Sequence, residues 1–309
     1  LKKGIALLIT VSLVAAIAAL IGISAGILDH SFKRISNKQF LIQSNSLLAG
    51  LINVLNRSTS DVNDSMSLDI FLSLPFVFEQ KSRDLAVDIY FTSQARSINP
   101  NDMLEHDMNA TAEQIKENQN INPLYETYLD RILTVYNVSD KILLLSLIAD
   151  SVDEDLKERT TGSELALENQ FFTQGKIYSL EHFHTILDEY KRQTLDFNVD
   201  AIPWETLLSF QNTGLDFNHI DVNTLSMLMP DLDETTLATL TTDRVDVYED
   251  FSSLNIDPER VQELTKMKMG FYSPEVKAWM NIRNGTNHLA VTFSYNLETK
   301  KATHIEISN

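Results

Sequence analysis

The chain has 309 residues, enough for a sizeable core and for more than one folding unit. It carries 25 Lys+Arg against 43 Asp+Glu, a net charge of −18, and no cysteine. Phosphates must be met by basic surface, so this balance argues against nucleic-acid binding, and disulfides, cysteine-ligated zinc and thiol nucleophiles are excluded. The charge is also uneven. Residues 1–60 hold six basic residues and one acid, a net of +5, and the remaining 249 hold 19 and 42, a net of −23.

After Lys2-Lys3-Gly4 comes an uncharged run, Ile5 to Leu28. As a helix it would reach roughly 36 Å, enough to cross a bilayer core of about 30 Å. A secretory signal peptide has a shorter apolar centre of about 7 to 15 residues and a small-residue cleavage site. This run ends instead in Asp29-His30-Ser31-Phe32. Leu28, Phe32, Ile35, Ile42, Ala49, Ile52 and Leu55 then recur at spacings of three, four and seven. That spacing predicts one amphipathic helix continuing the span, with an apolar stripe that needs a partner. Asn56 to Asp61, rich in capping and turn residues, ends it.

Beyond the stem the pattern predicts a short helix at Met66 to Leu74 and strand across Leu85 to Ile98, where Ala86 to Thr92 is β-rich. From Met103 to about Met269 it is mostly helical. The main segments are Leu124 to Tyr136, Asp140 to Ile148, Leu180 to Tyr190, Trp204 to Phe210, Asn223 to Met229, Glu234 to Leu240, Val245 to Asp250 and Pro258 to Met267. Three strands follow, Val276 to Arg283, His288 to Tyr295 and Ala302 to Ser308, joined by hairpin connections at Asn284-Gly285-Thr286-Asn287 and Asn296 to Lys301. Strand material on both sides of a helical block predicts an α+β chain. In it a long N-terminal helix packs on a small antiparallel sheet, and a large all-α domain is inserted between strands. The expected boundaries are a leader at 1–4, a stem at 5–58, a first β region at 59–104, the insert at 105–269 and a C-terminal β region at 270–309. Within the insert, 220–255 has a helix-hairpin-helix-like unit whose hairpin, Pro230 to Glu234, carries three acids that would repel phosphate.

Asp150, Asp153, Asp155 and Glu164 form the densest set of oxygen ligands at close spacing. A hard cation such as calcium takes about 6 to 8 oxygens, and a loop of alternating acids folded back on a glutamate can supply them. The segment lacks the glycine and glutamate positions of an EF-hand loop, and on the residues alone a solvated loop of helix-capping aspartates is the simpler reading. His182 and His184 lie two apart, on different faces of a helix, so they do not share a metal, and His184 with Asp188 reads as a surface pair. Asn223-Thr224 reads as a helix cap. The chain has no Gly-x-Ser-x-Gly, no His-Glu-x-x-His and no phosphate-binding glycine loop, so no enzymatic constellation is expected.

Lys2-Lys3-Gly4-Ile5-Ala6-Leu7-Leu8-Ile9 resembles the processing site of type IV pilin-like proteins, in which a short basic leader is cut after a glycine and the new N-terminus is methylated. The resemblance implies cleavage after Gly4 and a mature chain starting at Ile5. A glycine lets the backbone approach the peptidase closely, and the leader lysines suit the cytoplasmic side of the membrane. Pilins usually carry a glutamate at the fifth mature position, where it neutralises a neighbouring subunit's terminal ammonium. This chain has Ile9 there. A buried carboxylate without a partner is costly, so its absence suits a subunit that docks beneath no other.

Two further stretches are similar to one pilin-like family, the K-type minor pseudopilins of type II secretion systems (general secretion pathway protein K). Leu147 to Asp155, Gly162-Ser163-Glu164 and Tyr178-Ser179-Leu180-Glu181 resemble that family's acidic Asp-x-x-Asp-x-Asp segment, its Gly-x-Glu and its following helix, with Ser151 where tryptophan is usual. Ile220-Asp221-Val222-Asn223-Thr224 is similar to its Asn-x-Asn-Thr-Ala signature, with Asp221 for the first Asn and Leu225 for the Ala. The resemblance implies a single-pass inner-membrane protein with a periplasmic body, trimmed by prepilin peptidase and sitting at the tip of a short periplasmic pseudopilus. There it would start assembly with the I- and J-type minor pseudopilins and the major pseudopilin, on the inner-membrane secretion platform. Its body would face secretin or cargo, and its role would be structural, not enzymatic. It also implies calcium in the α-domain, for which Asp150, Asp153, Asp155 and Glu164 are the candidate ligands. The alternatives are a signal-anchored periplasmic sensor or binding domain, and a minor pilin of a type IV pilus or competence system.

Overall fold

The computed structural model describes residues 14–19, 37–74, 76–81, 84–104, 120–254, 256–285 and 287–308. Gly4, Ile5, Ile9 and most of the run from Ile5 to Leu28 lie outside these. Among the described residues no helix is long and apolar enough to cross a membrane. The chain divides into two compact units, one made of Leu1–Gln94, Val247–Glu249 and Phe271–Asn309, the other of Ala95–Asp246 and Asp250–Gly270.

In the first unit, helix α1 (Asn37–Ser58) and the short α2 (Ser65–Leu72) precede strands β1 (Phe76–Gln80) and β2 (Leu85–Ser93). After the second unit the chain returns as β3 (Glu275–Asn284), β4 (Asn287–Asn296) and β5 (Lys301–Ser308). The five strands form one antiparallel sheet in that order. Strand side chains alternate between faces, so one face collects Val87, Ile89 and Phe91 of β2, Ala278 and Met280 of β3, and Val291 and Phe293 of β4. The same cluster takes Leu47, Leu48, Leu51 and Leu55 of α1. The helix thus meets the sheet through its leucines, while Ala49, expected on the stripe, is exposed. Leucine buries more apolar area than alanine, so the stripe turns to the leucine side.

The joints follow from local chemistry. Thr59 Oγ1 donates to Leu55 O at the end of α1, and Lys300 Nζ donates to Thr59 O at 2.9 Å. Asp64 and Ser67 form a capping box on α2. Gly285, at φ 58°, makes the tight β3–β4 connection. The strand expected across Leu85 to Ile98 stops at Ser93, where Gln94 N donates to Glu275 O and the chain leaves the sheet. β1 was not visible in the sequence, because five residues at an edge, with Val77 exposed, give no alternation to read.

The second unit opens at Ala95, ahead of the boundary expected at 105. Its centre is α4 (Lys141–Val152), preceded by α3 (Pro123–Val135) and followed by the single turn α5 (Leu165–Glu168) and by α6 (Leu180–Thr194). Leu143 to Val152 is buried throughout, as expected of a helix covered on all sides. Phe183, Ile186, Leu187 and Tyr190 of α6 are buried as well. Helices α7 (Val222–Leu228), α8 (Glu234–Leu240) and α9 (Pro258–Lys266) complete it, with a two-residue parallel pairing of Leu215–Asp216 to Met269–Gly270. Gly214 permits that pairing, since a Cβ there would lie 2.6 Å from Lys268 O.

Two expected helices are corrected. Val245 to Asp250 is irregular, because two valines and two aspartates in six positions favour extended and capping conformations over helix. Asp250 instead caps a 3-10 turn at Phe251–Ser253. Trp204 to Phe210 keeps only the turn Trp204–Leu207 before Leu208 becomes extended and bridges to Ile98.

Candidate functional site

The acidic segment lies at the C-terminal end of α4. Helix geometry ends at Asp153, already in β conformation, and the chain loops outward before returning through Gly162 to Glu164, which caps α5. Gly162 has φ 82°, a conformation few other residues adopt. Asp150, Asp153 and Glu164 are all buried, so the expectation of a solvated loop does not hold for them.

Asp150 is held by three groups. Its Oδ2 accepts from Ser163 Oγ and from Arg159 N, and Arg159 Nε lies 2.9 Å from its Oδ1. That last contact is an ion pair off the hydrogen-bond direction, and Oδ1 accepts no hydrogen bond. Arg159 Nη2 also reaches Asp153 Oδ2 at 2.7 Å. A second focus lies on the other side of Asp153. Gln174 Nε2 faces Asp150 O at 3.2 Å, Asp153 Oδ1 at 3.3 Å, Glu164 Oε2 at 3.2 Å and, closer still, Asp155 O. An amide nitrogen carries two hydrogens, and here four oxygens converge on it. The oxygens outnumber the donors, so their mutual repulsion is only partly cancelled.

The electrostatics agree. Burial pushes the Asp153 carboxyl up to about 7, against the pull of Arg159 and with a further push from Asp150 and Asp155. Burial likewise pushes Glu164 up to about 7, opposed by the bond from Ala166 N and reinforced by the three neighbouring aspartates. Asp150 is raised for the same first reason, with Ser163 and Arg159 opposing. Such a nest holds its carboxyls toward the neutral form unless positive charge beyond the one guanidinium is brought in.

Of the four candidate ligands, the fold brings two carboxylates together at the second focus, those of Asp153 and Glu164. Asp150 joins through its carbonyl and keeps its carboxylate for Arg159. The side chain of Asp155 turns away, since its Oδ1 accepts from Lys157 N, and only its carbonyl points inward. Accordingly, no three acidic or histidine side chains converge as a metal cage among the described residues. The oxygens present, two carboxylate and two carbonyl, still fit a hard cation, and rotation of the Gln174 amide would add a fifth. Gln174 was missed in the sequence. It lies ten residues past Glu164, and only the fold shows that it closes the loop.

The remaining candidates fall elsewhere. Asp188 pairs with Lys191 at 2.9 Å. The cap expected at Asn223-Thr224 sits two residues before Asn223, where Asp221 accepts from Asn223 N and pairs with Arg96, while Thr224 is buried. In the helical hairpin, Asp233 caps α8 and Asp231 pairs with Arg260 of α9. Gly4, Ile5 and Ile9 lie outside the described residues.

No family model matches the chain, and no curated protein matches it. Its fold is similar to a chain in the crystal structure of the GspK-GspI-GspJ complex from the enterotoxigenic Escherichia coli type 2 secretion system. The likeness has a TM-score of 0.59 at 14% identity and covers 88% of this chain and 96% of that one.

Proposed function

We propose that this chain is a K-type minor pseudopilin of a type II secretion system, placed at the tip of the periplasmic pseudopilus. The observation that supports this best is the extent of the fold likeness, which takes in both the helix-and-sheet unit and the helical unit inserted between β2 and β3. The leader-like Lys2-Lys3-Gly4 and the isoleucine at Ile9 agree with it. In this reading the run from Ile5 to Leu28 first anchors the chain in the inner membrane and then packs among neighbouring stems. The subunit starts assembly with I- and J-type partners, and the growing filament pushes folded cargo toward the outer-membrane channel. Mass spectrometry of the mature protein tests the reading. An N-methylated Ile5 is expected, and an intact Lys2-Lys3 would instead favour a signal-anchored periplasmic domain. A processed chain that assembles only with type IV pilus components would favour a minor pilin.

We further propose that the oxygen cluster takes calcium, held by Asp150 O, Asp153, Asp155 O, Glu164 and Gln174. The ion would supply the missing positive charge and tie the end of α4 to the loop at Glu164 and Gln174. Chelation is expected to lower the melting temperature of the protein, and added calcium to restore it. A melting temperature indifferent to both removes the site.

A further inference from the structure

Beside that loop, on the outer side of α6, lies an open groove of about 420 Å³. Phe171, Phe172, Tyr178 and His182 line it. Phe171 is 86% exposed and Tyr178 46%, an unusual outlay of aromatic surface on a loop. His182 stands between two rings, 4.9 Å from Phe172 and stacked on Tyr178 at 5.8 Å. Its Nδ1 accepts from Tyr178 N at 3.3 Å, so the neutral imidazole carries its hydrogen on Nε2. That atom is sealed from water and has no acceptor. The helical unit is also strongly charged, with 13 basic and 32 acidic residues against 12 and 11 in the rest of the chain.

We infer that this groove docks an extended segment of another protein, apolar at its centre and flanked by lysine or arginine. The aromatic walls take the apolar side chains. His182, in ring contact with both Phe172 and Tyr178, extends the aromatic surface on which the segment lies. The flanking basic residues answer the net charge of −19 on the unit, which steers such a segment inward. The same charge disfavours the two other occupants of an apolar patch. A second copy would bring two such units together, and an anionic lipid surface would be repelled.

The test uses the full chain in nanodiscs of phosphatidylcholine, with empty discs as control. Fluorescence anisotropy follows three labelled peptides, each a Leu-Phe-Leu or Ser-Ser-Ser core between flanks of lysine or glutamate. The lysine-flanked apolar peptide is expected to bind, about tenfold more weakly at 0.5 M than at 0.05 M salt. The glutamate-flanked apolar peptide and the lysine-flanked serine peptide should each bind at least about tenfold more weakly at low salt. Phe171→Ala and Tyr178→Ala, both at exposed side chains, should each weaken binding about fivefold with the melting temperature unchanged. Equal binding of the serine-core peptide, indifference to both substitutions, or no binding would overturn the inference. So would self-association of the chain through Phe171.

Discussion

Asp153 and Glu164 are carboxylates whose burial makes their charge expensive, and the sign of the consequence can be worked out. Both titrate near 7 in the folded chain, well above the ordinary carboxyl range of about 4 in the unfolded one. Between those values the folded state binds more protons than the unfolded state, so stability falls as pH rises through that window. In chelator, the melting temperature is therefore expected to drop between about pH 4 and about pH 7. Calcium should flatten or reverse the slope, because a bound cation keeps the carboxylates ionised without cost. Glu164→Gln should flatten it without calcium, since it removes one titrating group and leaves the cap acceptor for Ala166 N. Thermal melts at a series of pH values, with and without calcium, check all three. The clustering of Asp150, Asp153, Asp155 and Glu164 was visible in the sequence, although on the residues alone a solvated capping loop was the simpler reading, and Gln174 gave no signal. Their division of labour was not visible, because it depends on which oxygen of each residue the loop turns inward.

The end of α6 and the β4–β5 turn each carry strain that variants can separate from contacts. Lys300 sits at φ 59° and Leu195, which follows α6, at φ 58°, a conformation that costs a residue with a Cβ roughly 1 to 2 kcal/mol. Leu195 is 77% exposed and spends that strain without a buried contact, so Leu195→Gly should stabilise the chain by about 1 kcal/mol in urea titrations. Lys300 is different, because its amine bonds both Thr59 O and Thr59 Oγ1 at the end of α1. Lys300→Ala should lose about 1 kcal/mol, and Lys300→Gly less, since it gives up the same bonds but relieves the strain. Equal losses for the two would mean that the φ value costs nothing here. Elements of this kind were read from sequence to within a few residues where caps and alternation were clear, as for Glu234 to Leu240 and the three C-terminal strands. Where tertiary pairing decides, as for the edge strand at Phe76–Gln80 or the truncated turn at Trp204, local pattern had nothing to report.

At the scale of the molecule, the insertion leaves and re-enters one sheet at neighbouring points. Ser93 at the end of β2 pairs with Val276 at the start of β3, and Gln94 Nε2 donates to Val276 O at 3.2 Å. Among the described residues, the cluster that joins α1 to the sheet is built from first-unit residues. A short Gly-Ser link from Gln94 to Phe271, which removes the second unit and the three first-unit residues Val247–Glu249, is therefore expected to leave the sheet and α1 folded, with a single cooperative melt and the β signature retained in circular dichroism. That variant also tests the proposed tip position. If the helical unit blocks stacking and Ile9 withholds the carboxylate, then excision alone should leave the subunit at filament ends, because a buried N-terminal ammonium still lacks its partner. Excision combined with Ile9→Glu should let it enter along the shaft. Immunogold labelling of overproduced pseudopili reads the difference directly. Label along the shaft after excision alone would show that bulk by itself sets the position, and label confined to the ends in the double variant would show that neither feature does.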